Sequence, residues 1–187
     1  MPIDLVFPKG NEEHLVEMAK RLGFTHLILC YTLKDPLIKE RAKEVTMLAH
    51  EGFTTEFAVL VTNQNDVSKA RNLTKSIVGV GRPELFEDKR VAYIISFEGS
   101  KRDDFIHHRN SGLNQVFIEN AKRTDKTILV SARQLLSGDV PQAVVLGRMM
   151  QNNTFFRKYK PAVLVVSGAK EPLGMRAPRD LQNLLQV

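Results

Sequence analysis

Residues 162–181, AVLVVSGAKEPLGMRAPRDL, decide how the rest of the chain is read. AVLVVS (162–167) is a continuous apolar run, the pattern of a strand buried on both faces of a parallel sheet. An irregular segment follows, in which Lys170, Arg176 and Arg179 stand against Glu171. Pro178 suits the first turn of a closing helix that runs into LQNLLQV. Strand, cationic loop, helix is one unit of an α/β fold.

The same unit recurs upstream. Strands are expected at IDLVF (3–7), HLILCY (26–31), EFAVLV (56–61), IVGVG (77–81), VAYIIS (91–96), DFI (104–106) and TILVS (127–131). Helical spacing lies between them: Leu15, Met18, Ala19 and Leu22; Ile38, Ala42, Val45 and Leu48; Val67, Ala70, Leu73 and Ile77; Leu113, Val116, Phe117 and Ala121; Val145, Leu146, Met149 and Phe156. Asp35-Pro36 and Asp66 are expected to cap the second and third helices, and the helix of Leu113 begins after Ser111. Eight strands alternating with helices predict a compact α/β fold, a TIM-barrel-like (β/α) barrel forming one domain over 1–187. At 187 residues some of its helices must be short, and 91–111 leaves little room for one. An open doubly wound sheet is the competing arrangement.

Composition narrows the function. The chain is 43% hydrophobic and 26% charged, ordinary for a packed domain. Its apolar runs are too short to span a bilayer, and MPIDLVFPKG lacks the features of a signal peptide. The single cysteine, Cys30, lies in an apolar run and reads as a core residue. A cytoplasmic protein is expected. Residues 1–100 carry 13 Lys+Arg against 14 Asp+Glu, whereas residues 101–187 carry 14 against 7. The positive excess of the second half suggests a surface that faces a polyanion.

Common catalytic patterns are absent. There is no phosphate-loop motif, and GVGRPE (79–84) lacks the full dinucleotide fingerprint. The histidines, His14, His26, His50, His107 and His108, form no H-x-H or H-E-x-x-H, so no catalytic metal site is expected. A Ser/His/Asp triad has no nucleophile elbow to announce it.

The chemistry that remains is cationic. In a β/α barrel the loops after the last two strands often hold phosphate, and here they supply Arg133, Lys170 and Arg176, with Arg179 entering the helix. Arginine suits phosphate because its planar fork donates two parallel hydrogen bonds. Lys158 lies in FFRKYK (155–160), where cations also suit the C-terminus of a helix. His108 and Arg109 follow the short strand at 104–106, and Lys122 and Arg123 end the next helix. Arg109 has Asp103 and Asp104 as alternative partners, and Asp180 is placed to pair with Arg176 or Arg179 and lock the loop.

HRNSGLNQV, ILVSARQLL, FRKYK and VVSGAKEPLGMRAPRDL together resemble archaeal ribonuclease P protein component 3, the relative of the thirty-kilodalton subunit of ribonuclease P and ribonuclease MRP. The resemblance is clearest over 104–185. It implies a TIM-barrel-like fold related to the polymerase and histidinol phosphatase phosphoesterases. It also implies a subunit that assists a catalytic RNA in removing 5′ leaders from precursor tRNA, without catalysing the step itself. The implied partners are the ribonuclease P RNA, component 2, components 1 and 4, a kink-turn-binding ribosomal protein and, indirectly, precursor tRNA. No cofactor is implied for the chain, and magnesium is expected at the RNA. The family signature falls on Arg133, Lys158, Ser167, Arg176, Arg179 and Asp180, with Ser167, Gly168, Pro178 and Asp180 expected to serve as a structural motif. Gln134 replaces the proline frequent in the family after the seventh strand. A stand-alone barrel phosphoesterase with a degenerate metal site is the alternative.

Overall fold

A computed structural model describes residues 1–95 and 97–185. Strands and helices alternate: β1 (Ile3–Val6), α1 (Glu12–Arg21), β2 (His26–Thr32), α2 (Ile38–Met47), β3 (Thr54–Val61), α3 (Gln64–Arg71), β4 (Ser76–Val80), α4 (Pro83–Glu87) and β5 (Tyr93–Ile95). The second half continues with α5 (Gln115–Arg123), β6 (Thr127–Ser131), α6 (Arg133–Leu136), α7 (Gln142–Tyr159), β7 (Ala162–Val166), a 3-10 turn (Pro172–Gly174) and α8 (Pro178–Asn183). All strands are parallel and pair in chain order from β1 to β7.

The sheet curls until its edges meet. Just beyond β7 the Gly168 N–H donates to the Leu5 carbonyl (3.0 Å) and the Ala169 carbonyl accepts from the Phe7 N–H (2.7 Å). Leu5, Ile28, Cys30, Ala58, Val78, Ile95, Leu129 and Val166 point into the barrel and pack on one another. Their neighbours, among them Val6, Leu27, Leu29, Val59, Ile77, Ile94, Ile128 and Val165, point outward and pack under the helices. Burial on both faces is why these strands read as unbroken apolar runs.

Among the described residues there are seven strands, not eight. DFI (104–106) is loop, with Phe105 57% and Ile106 96% exposed. No helix separates it from β5, so no crossover carries it back to the sheet. Side chains hold this segment instead. Arg148 of α7, only 1% exposed, donates to Asp104 Oδ1 (2.8 Å) and to the carbonyls of Glu98 (3.0 Å), Ser100 (2.6 Å) and Arg102. Asn152, one turn further along α7, donates to Glu98 Oε1 (2.8 Å) and accepts from the Ser111 hydroxyl (2.7 Å). Burial pushes the Glu98 carboxyl up, against the opposing pull of the Asn152 bond and Arg148.

Several local expectations shift. α2 starts at Ile38, and Asp35 accepts from the Leu37 N–H (2.9 Å) in a turn just ahead of it. Asn63, not Asp66, caps α3: it accepts from the Asp66 N–H (3.1 Å), and its own amide donates to the Asp66 carboxylate (2.7 Å). Asn114 caps α5. Of the expected stripes, Ala121, Val145, Met149 and Phe156 are buried, whereas Val116 is 63% and Leu146 41% exposed, and Ile118 joins the buried face of α5. The strand expected at 91–96 and the helix expected to reach 187 include Ser96, Gln186 and Val187, which lie outside the described residues.

Candidate functional site at the barrel mouth

The loops leaving the carboxyl ends of parallel strands converge on one end of a barrel. Here they enclose a cavity of about 600 Å³. Its floor is the last inward layer of the strands: Cys30, Leu60, Val80 and Ile95, with Phe7 beside them. Burial pushes the Cys30 thiol up and keeps it protonated, so it serves as an apolar floor residue. Lys9, Arg133 and Lys170 stand on the rim with Asp35 and Asp139, and Thr32, Ser131, Gln134 and Ser137 add neutral polar groups.

The three cations come from different places in the sequence. Lys9 follows β1, Arg133 opens α6 and Lys170 follows β7. The Lys170 ammonium is held below the usual lysine range, first by partial desolvation and then by the charges of Arg133 and Lys9; Asp139 pulls the other way. Mutual repulsion of this kind marks a site that gains by taking up an anion.

Backbone ties fix the rim. The Arg133 N–H donates to the Ser167 carbonyl (3.0 Å), and the Ala132 N–H to Val166 (2.9 Å). The Gln134 side chain accepts from the Gly99 N–H (2.7 Å), clamping the β5–α5 loop to α6. Ser167 is held from below by Asp4: its N–H donates to Oδ1 and its hydroxyl to Oδ2, each at 2.6 Å. Gly168 has φ +61, and a Cβ there would lie 2.2 Å from the Ser131 hydroxyl oxygen. Ser167 and Gly168 thus sit where the barrel seam meets the mouth.

The remaining candidates are dispersed. Arg176 donates to the carbonyls of Leu173 (2.9 Å) and Met175 (2.7 Å), bracing the 3-10 turn. Arg179 and Asp180 are exposed on the first turn of α8, and among the described residues Asp180 pairs with neither arginine. Pro178 lines a separate cavity of about 210 Å³ with Met1, Pro2 and Phe24. Arg109 pairs with Asp104 (3.0 Å) and lies across Gly147, where a Cβ would meet its Nε at 2.7 Å. His108 packs against Phe105, ring centroids 4.6 Å apart. Lys122 and Arg123 end α5, and Lys158 nears the end of α7 with its ammonium 5.1 Å from the Tyr159 ring. These helices end just before β6 and β7 begin, which puts the three cations at the end of the barrel opposite the mouth.

The structure therefore joins Arg133 with Lys170 and adds Lys9. The PKG segment after β1 gave no motif, and only barrel closure, which sets β1 beside β7, brings Lys9 to the other two. Among the described residues no group of three His, Cys, Asp or Glu side chains is placed to hold a metal ion. Among them, too, no helix is long and apolar enough to cross a membrane.

Fold and site together define a seven-stranded β/α barrel with a cationic mouth. The particular likeness is to ribonuclease P protein component 3 of Methanosarcina barkeri (strain Fusaro / DSM 804), with 32% identity over 91 residues. The match takes in 46% of this chain and 38% of that relative, so it spans well under half of the curated protein. The resemblance read from the sequence motifs is thereby upheld. No family model matches. A chain in the cryo-EM structure of archaeal ribonuclease P with mature tRNA superposes with a TM-score of 0.78 over 98% of this chain and 81% of its own length. At 20% identity it establishes a shared fold.

Proposed function

We propose that this chain is a protein subunit of ribonuclease P that helps the catalytic RNA remove 5′ leaders from precursor tRNA. The observation that carries the proposal is the 32% identity to component 3 over 91 residues. The barrel superposition on a chain of an archaeal ribonuclease P assembly supports it. In this reading the chain performs no hydrolysis. Magnesium acts at the RNA, and Lys9, Arg133 and Lys170 contact RNA phosphate at the barrel mouth. Component 2 is its immediate protein partner. Components 1 and 4 and a kink-turn-binding ribosomal protein are its neighbours, and the assembly works in the cytoplasm.

Precursor-tRNA cleavage by the ribonuclease P RNA at limiting magnesium, with component 2 present, tests the proposal. Added wild-type chain is expected to restore cleavage. A folded Arg133→Ala/Lys170→Ala variant is expected to restore it poorly. No restoration by the wild type would overturn the assignment. Equal restoration by both would move the RNA contact away from the mouth.

A further inference from the structure

We propose that the barrel mouth is a nucleotide pocket, taking one phosphate on its cationic rim and the attached base on its apolar floor. In its RNA form, a single unpaired nucleotide turned out of the RNA, the proposal rests on the ribonuclease P reading above.

The cavity has more volume and more apolar lining than phosphate contact alone requires. A protein that grips a nucleic-acid backbone needs only cations on a surface. Here the cations stand above a volume of about 600 Å³ closed by Leu60, Val80 and Ile95. That volume lies inside the range of small-molecule sites, about 300–1,000 Å³. An apolar floor under a charged rim fits a ligand with one charged end and one flat apolar body, as a nucleotide has. Proteins that read unpaired RNA commonly take the base out of its stack into such a pocket.

The charge count favours one phosphate. Lys9, Arg133 and Lys170 face Asp35 and Asp139, which leaves a single net positive charge on the rim. The carboxylates are acceptors for ribose hydroxyls or an exocyclic amine, whereas a polyphosphate would be repelled by them. Ser131 and Thr32 lie on the inward faces of β6 and β2 and offer hydroxyls that can donate to or accept from a base edge.

Isothermal titration calorimetry of the full chain with adenosine 5′-monophosphate, uridine 5′-monophosphate and inorganic phosphate tests the pocket. One site per chain is expected, with inorganic phosphate at least tenfold weaker than either nucleotide. Lys170→Ala is expected to weaken nucleotide binding roughly tenfold or more. Thr32 is exposed at the rim, so Thr32→Trp fills the mouth without enlarging the core, and it is expected to abolish binding. Thermal melts establish that both variants fold, and Lys170→Ala carries the test if Thr32→Trp does not. Competition by a uridine hexanucleotide, but not by a blunt RNA duplex, assigns the ligand to an unpaired nucleotide of RNA. Nucleotide binding without such competition assigns it to a free nucleotide. Absence of nucleotide binding, or phosphate binding as tightly as the nucleotides, overturns the proposal, as does binding indifferent to the rim variants. Because these titrations contain no catalytic RNA, their failure leaves the cleavage result standing. Failed cleavage would likewise leave a nucleotide site intact.

Discussion

The Asp4 carboxylate accepts both the backbone N–H and the hydroxyl of Ser167, 163 residues later in the chain, and so ties β1 to the segment that follows β7. It lies at the seam, where the main-chain bonds run from Leu5 and Phe7 to Gly168 and Ala169 just beyond β7. A carboxylate that bonds one strand's amide replaces part of a missing ladder. The group is fully buried, and desolvation pushes its pKa up to about 6 despite the opposing Ser167 and Leu5 hydrogen bonds.

That shift makes stability depend on pH with a definite sign. A carboxyl whose folded pKa exceeds its unfolded value binds its proton more tightly when folded. Its stabilising contribution is complete below the unfolded value of 3.8 and is lost as pH rises through about 6. The melting temperature is therefore expected to rise as pH is lowered from 7 to 5, with Glu98 acting in the same sense. Asp104 works oppositely. Desolvation would raise it, but the Asn110 N–H and the Arg148 and Arg109 guanidiniums outweigh this and hold it at about 2, so its contribution is lost as pH falls from about 4 toward 2. Asp4→Asn keeps an acceptor for the Ser167 N–H and removes the titration. Melts from pH 5 to 8 are expected to show a shallower slope than wild type. An unchanged slope would mean that Asp4 does not titrate there. Asp4→Ala removes the acceptor of three buried donors, the Leu5 and Ser167 N–H groups and the Ser167 hydroxyl, and is expected to cost roughly 2–4 kcal/mol at pH 7.

Gly168 and Ser131 form a coupled pair on the next turn of the seam. Gly168→Ala puts a methyl 2.2 Å from the Ser131 oxygen and forces alanine to φ +61. Together these are expected to cost roughly 2–4 kcal/mol in urea unfolding. Adding Ser131→Gly removes the clash and leaves the backbone strain, so the double variant is expected to recover about half of the loss. Additive losses would show that the two residues do not touch.

The barrel itself was legible because every β/α unit repeats the same apolar grammar. Inward Leu5, Ile28 and Leu129 and outward Val6, Leu29 and Val130 are all apolar, so each run stands out from its neighbours. The false eighth strand came from the same grammar. Phe105 and Ile106 look like strand residues, yet Arg148, some forty positions away, holds the backbone around them. A buried arginine in the GRMM segment of α7, whose buried face also carries Asn152 and Asn153, gives no signal in sequence. Arg133 and Lys170 were legible as site candidates through their places after the last strands. Lys9 was not, because its membership of the site exists only once the seam between β1 and β7 has closed.

Arg148 is expected to be the least replaceable cation in the chain. Its fork satisfies a carboxylate and three carbonyls spread over Glu98–Asp104. Arg148→Met leaves those acceptors buried and unpaired, at a cost of roughly 3–5 kcal/mol. Arg148→Lys keeps the charge but lacks the planar reach to four acceptors, so it is expected to recover only a small part of the loss. Hydrogen exchange is the direct readout. Amides over 98–113 are expected to lose protection first, while β1–β3 exchange as in wild type. Uniform loss across the barrel would show that Arg148 supports the whole fold and not this loop.

Arg176 and Arg179 lie three residues apart and are expected to separate cleanly. The Arg176 guanidinium bonds the Leu173 and Met175 carbonyls and so holds the turn that follows Lys170. Arg179 projects from the exposed first turn of α8. Arg176→Ala is expected to lower stability by about 1 kcal/mol, since both bonds lie near solvent. Arg179→Ala is expected to leave the melting temperature within a degree or two of wild type, as exposed substitutions do. In the limiting-magnesium cleavage assay, a loss with Arg179→Ala at unchanged stability would identify a direct RNA contact. A loss confined to Arg176→Ala, and restored by stabilising the turn with Gly174→Ala, would identify an indirect effect through Lys170. The turn has room for that methyl, whose nearest neighbour would be the Ala169 Cβ at 3.4 Å. Wild-type cleavage with both variants would exclude Arg176 and Arg179 as working contacts and leave the rim cations Arg133 and Lys170 to the double variant that tests them.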